Sequence, residues 1–289
     1  MSAISPDNSV YVSRRRRNVL MLGVSSLALA FGLFWLIWIL STLLYEGGNA
    51  LVRLSLYTQM TPPPGADGGL ANAILGSLMM AAIGTLIGTP TGILAGTYLA
   101  EYGRQGWLAS ATRFINDVLL SAPSIVIGLF VYTIYVAQVG HFSGWAGSIA
   151  LALLVIPVVV RTTDDMLKLV PNSLREAAAA LGCPTWRMIM FVTYRAARTG
   201  IVTGVLLAVA RVSGETAPLL FTALGSQYLS TDIRQPMAAL PLVVYNYATG
   251  PYDDWHRLAW ATALVLILVV LVFSILARLA TRSRFDGPR

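Results

Sequence analysis

Cysteine and histidine are almost missing from this chain: one cysteine, Cys183, and two histidines, His141 and His256, in 289 residues. A lone cysteine excludes an intramolecular disulfide and a multi-cysteine metal centre. The histidines fall in different connecting segments, so no zinc or haem site, no other metal and no cofactor is expected. Charge is scarce as well. Only 11% of the residues are Asp, Glu, Lys or Arg, against about 25% in a soluble domain. No Gly-Lys-Ser/Thr phosphate loop is present, so the chain is not expected to hydrolyse ATP. An intramembrane enzyme would need a nucleophile, an acid–base pair or a metal at membrane depth, and Arg211 and Glu215 are the only candidates there.

What fills the sequence is apolar: 56% of it is hydrophobic. Runs of some twenty apolar residues recur, which predicts an all-α, polytopic membrane protein. Six spans are expected, at about 19–44, 73–100, 117–139, 145–166, 199–223 and 258–279. The first lacks a convincing small-residue cleavage site and reads as a retained anchor. A basic arm (1–18) precedes it and an external loop (45–72) follows. A membrane core covers 73–280, and a short tail 281–289.

The net charge of +7 has a topological reading rather than a nucleic-acid one. Arg14 to Arg17, Arg104, Arg113, the basic residues between Lys168 and Arg198, and those from Arg278 onward fall on alternate connections. The opposite connections hold only Arg53, Arg234 and Arg257. The positive-inside rule then puts both termini and the 167–198 loop in the cytoplasm. The Pro/Gly-rich "TPPPGADGG" (61–69) becomes an external loop. The stretch 236–250 is too short to span and reads as interfacial or re-entrant on the outer side.

Within the second span, Gly84, Gly88, Gly92 and Gly96 recur every four residues. That spacing lines one helix face with small residues and permits close approach of a neighbouring helix. Pro90 predicts a kink.

The loop "LVPNSLREAAAALGCPTW" (169–186) is punctuated like a helix. Ser173 and Glu176 have capping-box spacing. Leu174, Ala177, Ala178 and Leu181 share one apolar face. Gly182 suits a left-handed C-terminal position and Pro184 discourages continuation. A short helix over 173–182 is expected, either as an elbow between spans or as a docking element.

Arg211 and Glu215 stand four residues apart inside the apolar run from Ile201 to Leu224. A charge at such depth costs roughly 2.5–3.5 kcal/mol on insertion scales. On a continuous helix Gly200, Gly204, Pro218 and Thr222 would share their face. Two readings stand: a self-neutralising pair that holds helices together, or the lining of an anion path. Guanidinium binds phosphate in a two-pronged manner and keeps its charge. Glu215 would orient Arg211 or accept a proton from hydrogen phosphate. Asp117 and Arg161 are expected to serve interfaces or loop docking.

"EAAAALG" (176–182) resembles the EAA signature of bacterial ABC importer permeases, although the signature's usual Ile-x-Leu-Pro continuation is replaced by Val192-Thr193-Tyr194-Arg195. "LAEYGRQGWL", "FINDVLLSAPSIVIGLFVYT", "HFSGWAG", "VVVRTTDDMLKLVPNSLREAA" and "ARVSGETAPLLFTAL" are together similar to the PstA family, permeases of phosphate-specific ABC importers. The resemblance runs from about residue 30 to 280. It implies a type I, EAA-motif permease fold and a 173–182 coupling helix that seats in a cleft of an ATPase. It also implies a PstC-type partner permease, two copies of a PstB-type ATPase and the external phosphate-binding protein PstS. Arg211 falls on the arginine associated with phosphate passage in that family. An importer of sulfate or molybdate is the nearest alternative. A passive anion channel would need neither the capped helix nor an ATPase.

Overall fold

The computed structural model describes residues 8–103 and 106–282. Parts of the expected arm and tail, and Arg104 of the charge count, lie outside the described residues. Among the described residues every regular element is a helix, in the order α1 (Asn8–Leu51), α2 (Ser55–Thr58), α3 (Ala71–Thr97), α4 (Trp107–Ser121), α5 (Ser124–Val131), α6 (Ala137–Val139), α7 (Gly144–Lys168), α8 (Asn172–Ala180), α9 (Thr185–Met188), α10 (Tyr194–Val212), α11 (Ala217–Leu220), α12 (Leu240–Ala248) and α13 (Asp253–Arg282). Wide π-helical turns extend α3 over Tyr98–Tyr102, join α5 to α6 over Tyr132–Val136, and join α9 to α10 over Ile189–Thr193.

The pair at the centre is α3 and α7, and the glycine stripe is the reason they meet. A Cβ on Gly84 would lie 2.9 Å from the Leu151 Cβ, on Gly88 2.8 Å from Val155, on Gly92 2.7 Å from Val159 and on Gly96 2.7 Å from Thr163. Each rung is a missing side chain on α3 filled by a side chain of α7. Both numberings rise together, so the helices run parallel. The chain between them must therefore return along the bundle. α3 continues through Pro90 as one helix.

The return is made by α4 and α5, and here the expected span at 117–139 is corrected. "SAPS" (121–124) splits it: α4 and the Ser124–Val139 segment form a pair bent by 107°. Pro123 supplies no backbone donor and pushes Ala122 into extended geometry, so the helix cannot run through. Asp117 thus belongs to α4, before the bend.

α10 packs antiparallel on α7, with Gly204 against Thr162 and Gly200 against Met166. Both glycines face α7, and Gly204, seven residues before Arg211 on the same continuous helix, packs against it. α1 touches the bundle only near its C-terminal end, where a Cβ on Gly47 would meet the Trp260 carbonyl oxygen of α13 at 2.8 Å. Most of the rest of α1, including Leu27, Phe31 and Ile37, is exposed.

Among the described residues four helices are long and apolar enough to cross a membrane: Val10–Leu51, Ala71–Tyr102, Gly144–Lys168 and Asp253–Ile275; the bent pair makes five if counted as one span. The expected fifth span, 199–223, is not a single helix. Arg195, Arg198 and Arg211 bracket a short apolar stretch of α10, which stops at Val212.

The two ends of the bundle are tied differently. At one end the starts of α3, α7 and α13 gather around α12, the 236–250 segment, which folds as a nine-residue helix with Leu240, Leu242 and Val243 buried. There buried Asn72 donates to Thr61 Oγ1 and to the Ser226 carbonyl, 2.8 Å each, and accepts from Thr61 N–H at 3.0 Å. Tyr247 donates to the Pro62 carbonyl at 2.8 Å and stacks on Trp255 with ring centroids 4.5 Å apart. Burial pushes this hydroxyl above its ordinary pKa, opposed by hydrogen bonds with Thr61 and Gln227. At the other end sit α4, the close of α3 and α7, and α8.

The ladder makes a direct prediction. Gly92→Leu should destabilise the chain strongly, and Gly92→Ala by about 1–3 kcal/mol through overpacking against Val159. Adding Val159→Ala should restore part of the loss in the alanine variant. Thermal unfolding of the purified permease in detergent measures all three; a Gly92→Leu protein that melts like wild type would contradict the packing.

Candidate functional site

The sequence pointed to two places, the Arg211–Glu215 pair and the 173–182 helix, and the fold sets them on different segments of one bundle.

Arg211 is in the last turn of α10 rather than mid-helix. The helix gives way at Ser213-Gly214: Gly214 N–H donates to the Arg211 carbonyl and Glu215 N–H to the Val212 carbonyl, both at 3.2 Å. These are three-residue steps in place of the four-residue helical ladder. Pro218 then occupies the first turn of α11, a position that proline favours. The pair therefore straddles a break. Arg211 Nε lies 3.8 Å from Glu215 Oε1, with side-chain exposures of 51% and 17%. At that distance the charges attract without sharing a hydrogen bond. Half of the guanidinium side chain is open on the surface of the chain, while the carboxylate behind it is mostly covered.

The break is anchored firmly. Pro218 lies so close to Gly128 of α5 that a Cβ there would meet the Pro218 Cα at 2.6 Å. Ser143, whose side chain caps α7 by accepting from Ala146 N–H, donates its own N–H to the Thr222 carbonyl at 3.0 Å. Leu224 and Gly225 take left-handed φ of 60° and 104°. A non-glycine residue in that region carries roughly 1–2 kcal/mol of strain. Thr222 itself is fully buried and donates to the Pro218 carbonyl at 2.7 Å. That corrects the expected shared face: with the helix interrupted, Thr222 closes the turn and does not reach the surface where Arg211 lies.

α8 forms as expected, but it starts differently. Its N-cap is Pro171, and no side chain caps it. The capping box of Ser173 and Glu176 is therefore not made. Proline fixes its φ near −60° and sets the helix start one residue early, which places Ser173 inside the first turn. The C-terminus matches the sequence. Gly182 takes φ +73°, its N–H donates to the Ala179 carbonyl at 2.9 Å, and Cys183 N–H to the Ala178 carbonyl at 3.1 Å. This pair of bonds is a Schellman closure. Leu174 and Ala177 are exposed, Leu181 is 89% exposed, and Ala178 is half-buried. Beside them Trp186 is also exposed, with the Arg187 guanidinium 5.1 Å from its ring centre.

Sequence reading anticipated Asp117 and Arg161 at this end and missed the other charges that fasten it. Buried Asp164 of α7 pairs with Lys168, and Arg113 of α4 lies 3.9 Å away while donating to the Leu99 carbonyl at 3.0 Å. Arg161 pairs with Asp165 at 3.0 Å and with Asp117 at 3.9 Å, so Asp117 and Arg161 do join two helices. Glu101 and Arg175 form a buried pair at 2.7 Å. No sequence spacing links residues 74 positions apart; a carboxylate at the very end of an apolar span was the one available signal.

Residues 88–285 match the family described as binding-protein-dependent transport system inner membrane component. The chain is 62% identical over 94% of its length to the phosphate transport system permease protein PstA of Pasteurella multocida, covering 97% of that protein. It is 62% identical over 92% of its length to the protein of the same name from Haemophilus influenzae, covering 94% of it. A chain in the crystal structure of a bacterial ABC transporter involved in the import of the acidic polysaccharide alginate shares the fold, with a TM-score of 0.64 at 14% identity, over 96% of this chain and 99% of that one. The chain therefore belongs to the inner-membrane permeases of binding-protein-dependent ABC transporters, and within them to the PstA phosphate transport permeases.

Proposed function

We propose that this chain passes inorganic phosphate inward as one half of a permease pair, driven by ATP hydrolysed on separate subunits. The observation that carries the reading is the half-exposed Arg211 guanidinium at a helix break, backed by a covered carboxylate. A planar cation that cannot be deprotonated is suited to an oxyanion that must be held briefly and released. A nearby carboxylate weakens the grip enough for release, and Glu215 fills that role at 3.8 Å. Broken helices are tolerated at membrane depth where they are buried in protein or line a cavity. The exposed side of Arg211 then faces a PstC-type permease, with the path between the two chains.

On this reading α10 and the segment after it make the sixth crossing, alongside the four long helices and the bent pair. Both termini and α8 are cytoplasmic, and PstS delivers phosphate at the α12 end. The exposed face of α8, with Leu174, Ala177 and Leu181 and the neighbouring Trp186, is the docking surface for one of two PstB-type ATPases. Glu176 is exposed, free of a capping duty and available to the ATPase cleft. Gly182 sets the angle at which the chain leaves the docked helix.

Three tests follow from this assignment. Arg211→Gln in the reconstituted complex should abolish most phosphate uptake while ATPase association stays near normal, and Arg211→Lys should recover only part of it. Phosphate uptake restored in Arg211→Gln with Glu215→Gln would overturn the pathway and leave a purely structural pair; equal uptake of sulfate by the wild-type complex would replace phosphate as the substrate.

Gly182→Asp should lower ATPase co-purification and uptake together, because a side chain at φ +73° is strained by roughly 1–2 kcal/mol. Glu176→Lys should do so without strain. Wild-type behaviour of both would remove the docking role.

A cytoplasmic reporter fused behind residue 282 should be active and one inserted near Asp67 inactive. The opposite pattern would invert the topology.

A further inference from the structure

α8 is an unusual element to carry force. It has nine residues, none of them buried, and all but Arg175 and Ala178 are exposed. None of its residues belongs to a buried apolar cluster, although it approaches the π-helical turn Ile189–Thr193. One side chain ties it to α3 and α7. Arg175 Nη2 donates to Glu101 Oε1 at 2.7 Å and Nε to Glu101 Oε2 at 3.2 Å, a two-pronged pair. The same guanidinium donates to the Leu167 carbonyl at 2.7 Å and to the Val170 carbonyl. Exposure is 11% for the Arg175 side chain and 3% for Glu101.

Three helices thus converge on one cation. Glu101 belongs to the π-helical turn that closes α3, where Gly103 N–H donates to the Tyr98 carbonyl at 2.7 Å. Leu167, whose carbonyl also accepts from Val170 N–H at 3.2 Å, and Val170, two residues past the last residue of α7, supply these carbonyls, where the helix dipole favours a cation. Immediately before these ends, Gly96 meets Thr163, the last rung of the ladder that makes α3 and α7 one rigid unit. A buried ion pair is weak evidence for stability, since apolar packing often does as well. This one has a geometric consequence that apolar packing lacks: bidentate bonds fix direction as well as distance.

We propose that Arg175 and Glu101 are positioning residues for energy coupling, the link through which movement of the ATPase at α8 reaches the α3–α7 unit. The proposal rests on the reading of α8 as the docked helix. Loosening the link should let α8 follow the ATPase while the membrane helices lag, so that ATP is hydrolysed without transport.

The test uses the complete complex in proteoliposomes, scoring ATPase co-purification, ATP hydrolysis and phosphate uptake separately. Glu101→Gln keeps the shape but removes the charge, and Arg175→Lys replaces the fork with a point charge. Both complexes should retain the ATPase and hydrolyse ATP, with phosphate taken up per ATP reduced about tenfold, inside the usual range of coupling between sites. In Glu101→Cys with Arg175→Cys and Cys183→Ser, a short bifunctional thiol cross-linker should raise uptake per ATP back toward wild type. Unchanged uptake per ATP in both single variants overturns the proposal. So does loss of the ATPase in proportion to uptake, which would make the bridge only a brace for the loop. Leu181→Asp, on the exposed face, separates the two readings. If it leaves the ATPase bound, the docking reading fails; if it releases the ATPase while Glu101→Gln couples normally, only the present inference fails.

Discussion

The close parallel approach of α3 to α7 is the constraint on which the other arrangements depend. In a bilayer, lipid tails are as apolar as leucine, so helices are not driven together by leaving water. Contact must come from surfaces near enough for dispersion and shape to act. Four glycines on one face of α3 provide that nearness, and Leu151, Val155, Val159 and Thr163 fill the spaces. Parallel packing then dictates topology. The end of α3 and the start of α7 lie at opposite ends of the bundle, so residues 103–143 must travel back. They do so with a bend at Ala122-Pro123, leaving α4 free to lie against the close of α7 through Arg113 and Asp164.

The same unit gives α10 a fixed wall. Gly200 and Gly204 seat against Met166 and Thr162, while Pro218, Thr222 and Leu219 hold the segment after the break against α5 and α7. Arg211 and Glu215 lie between these two anchored stretches. A long cationic side chain placed at a helix C-terminus is favoured by the carbonyl ends there, and the break spares the chain from carrying an arginine through a continuous apolar helix. Backbone order and side-chain exposure are thereby combined: the peptide around Arg211 is pinned, and its guanidinium is open.

Periodic and local signals were readable in the sequence, and relational ones were not. The glycine stripe needed only the four-residue period, and Gly182 with Pro184 announced the left-handed stop of α8. Arg211 and Glu215 stood out because charge is rare in such a run. What sequence reading missed depends on competition between nearby signals. Pro171 outranked Ser173 in setting the helix start, so the expected capping box was not formed. Ser213-Gly214 ended α10 where apolarity alone suggested continuation, which moved Thr222 from the expected lining into a buried turn. "SAPS" turned a span into a bent pair.

Long-range polar contacts were the least legible, and they separate by burial. Arg161–Asp165 is a one-turn pair on α7, at a spacing that any helix offers, and both side chains are well exposed. Such pairs are worth a few tenths of a kcal/mol. Glu101–Arg175 spans 74 residues, is buried, and satisfies the guanidinium with two carboxylate oxygens and two helix-end carbonyls. Desolvation offsets much of its attraction, so its net contribution to folding is small for the order it imposes. What such a pair supplies is a defined orientation between an exposed surface helix and the rigid pair behind it. The ladder holds α3 and α7 to each other by shape, and this one guanidinium fixes α8 to both by direction.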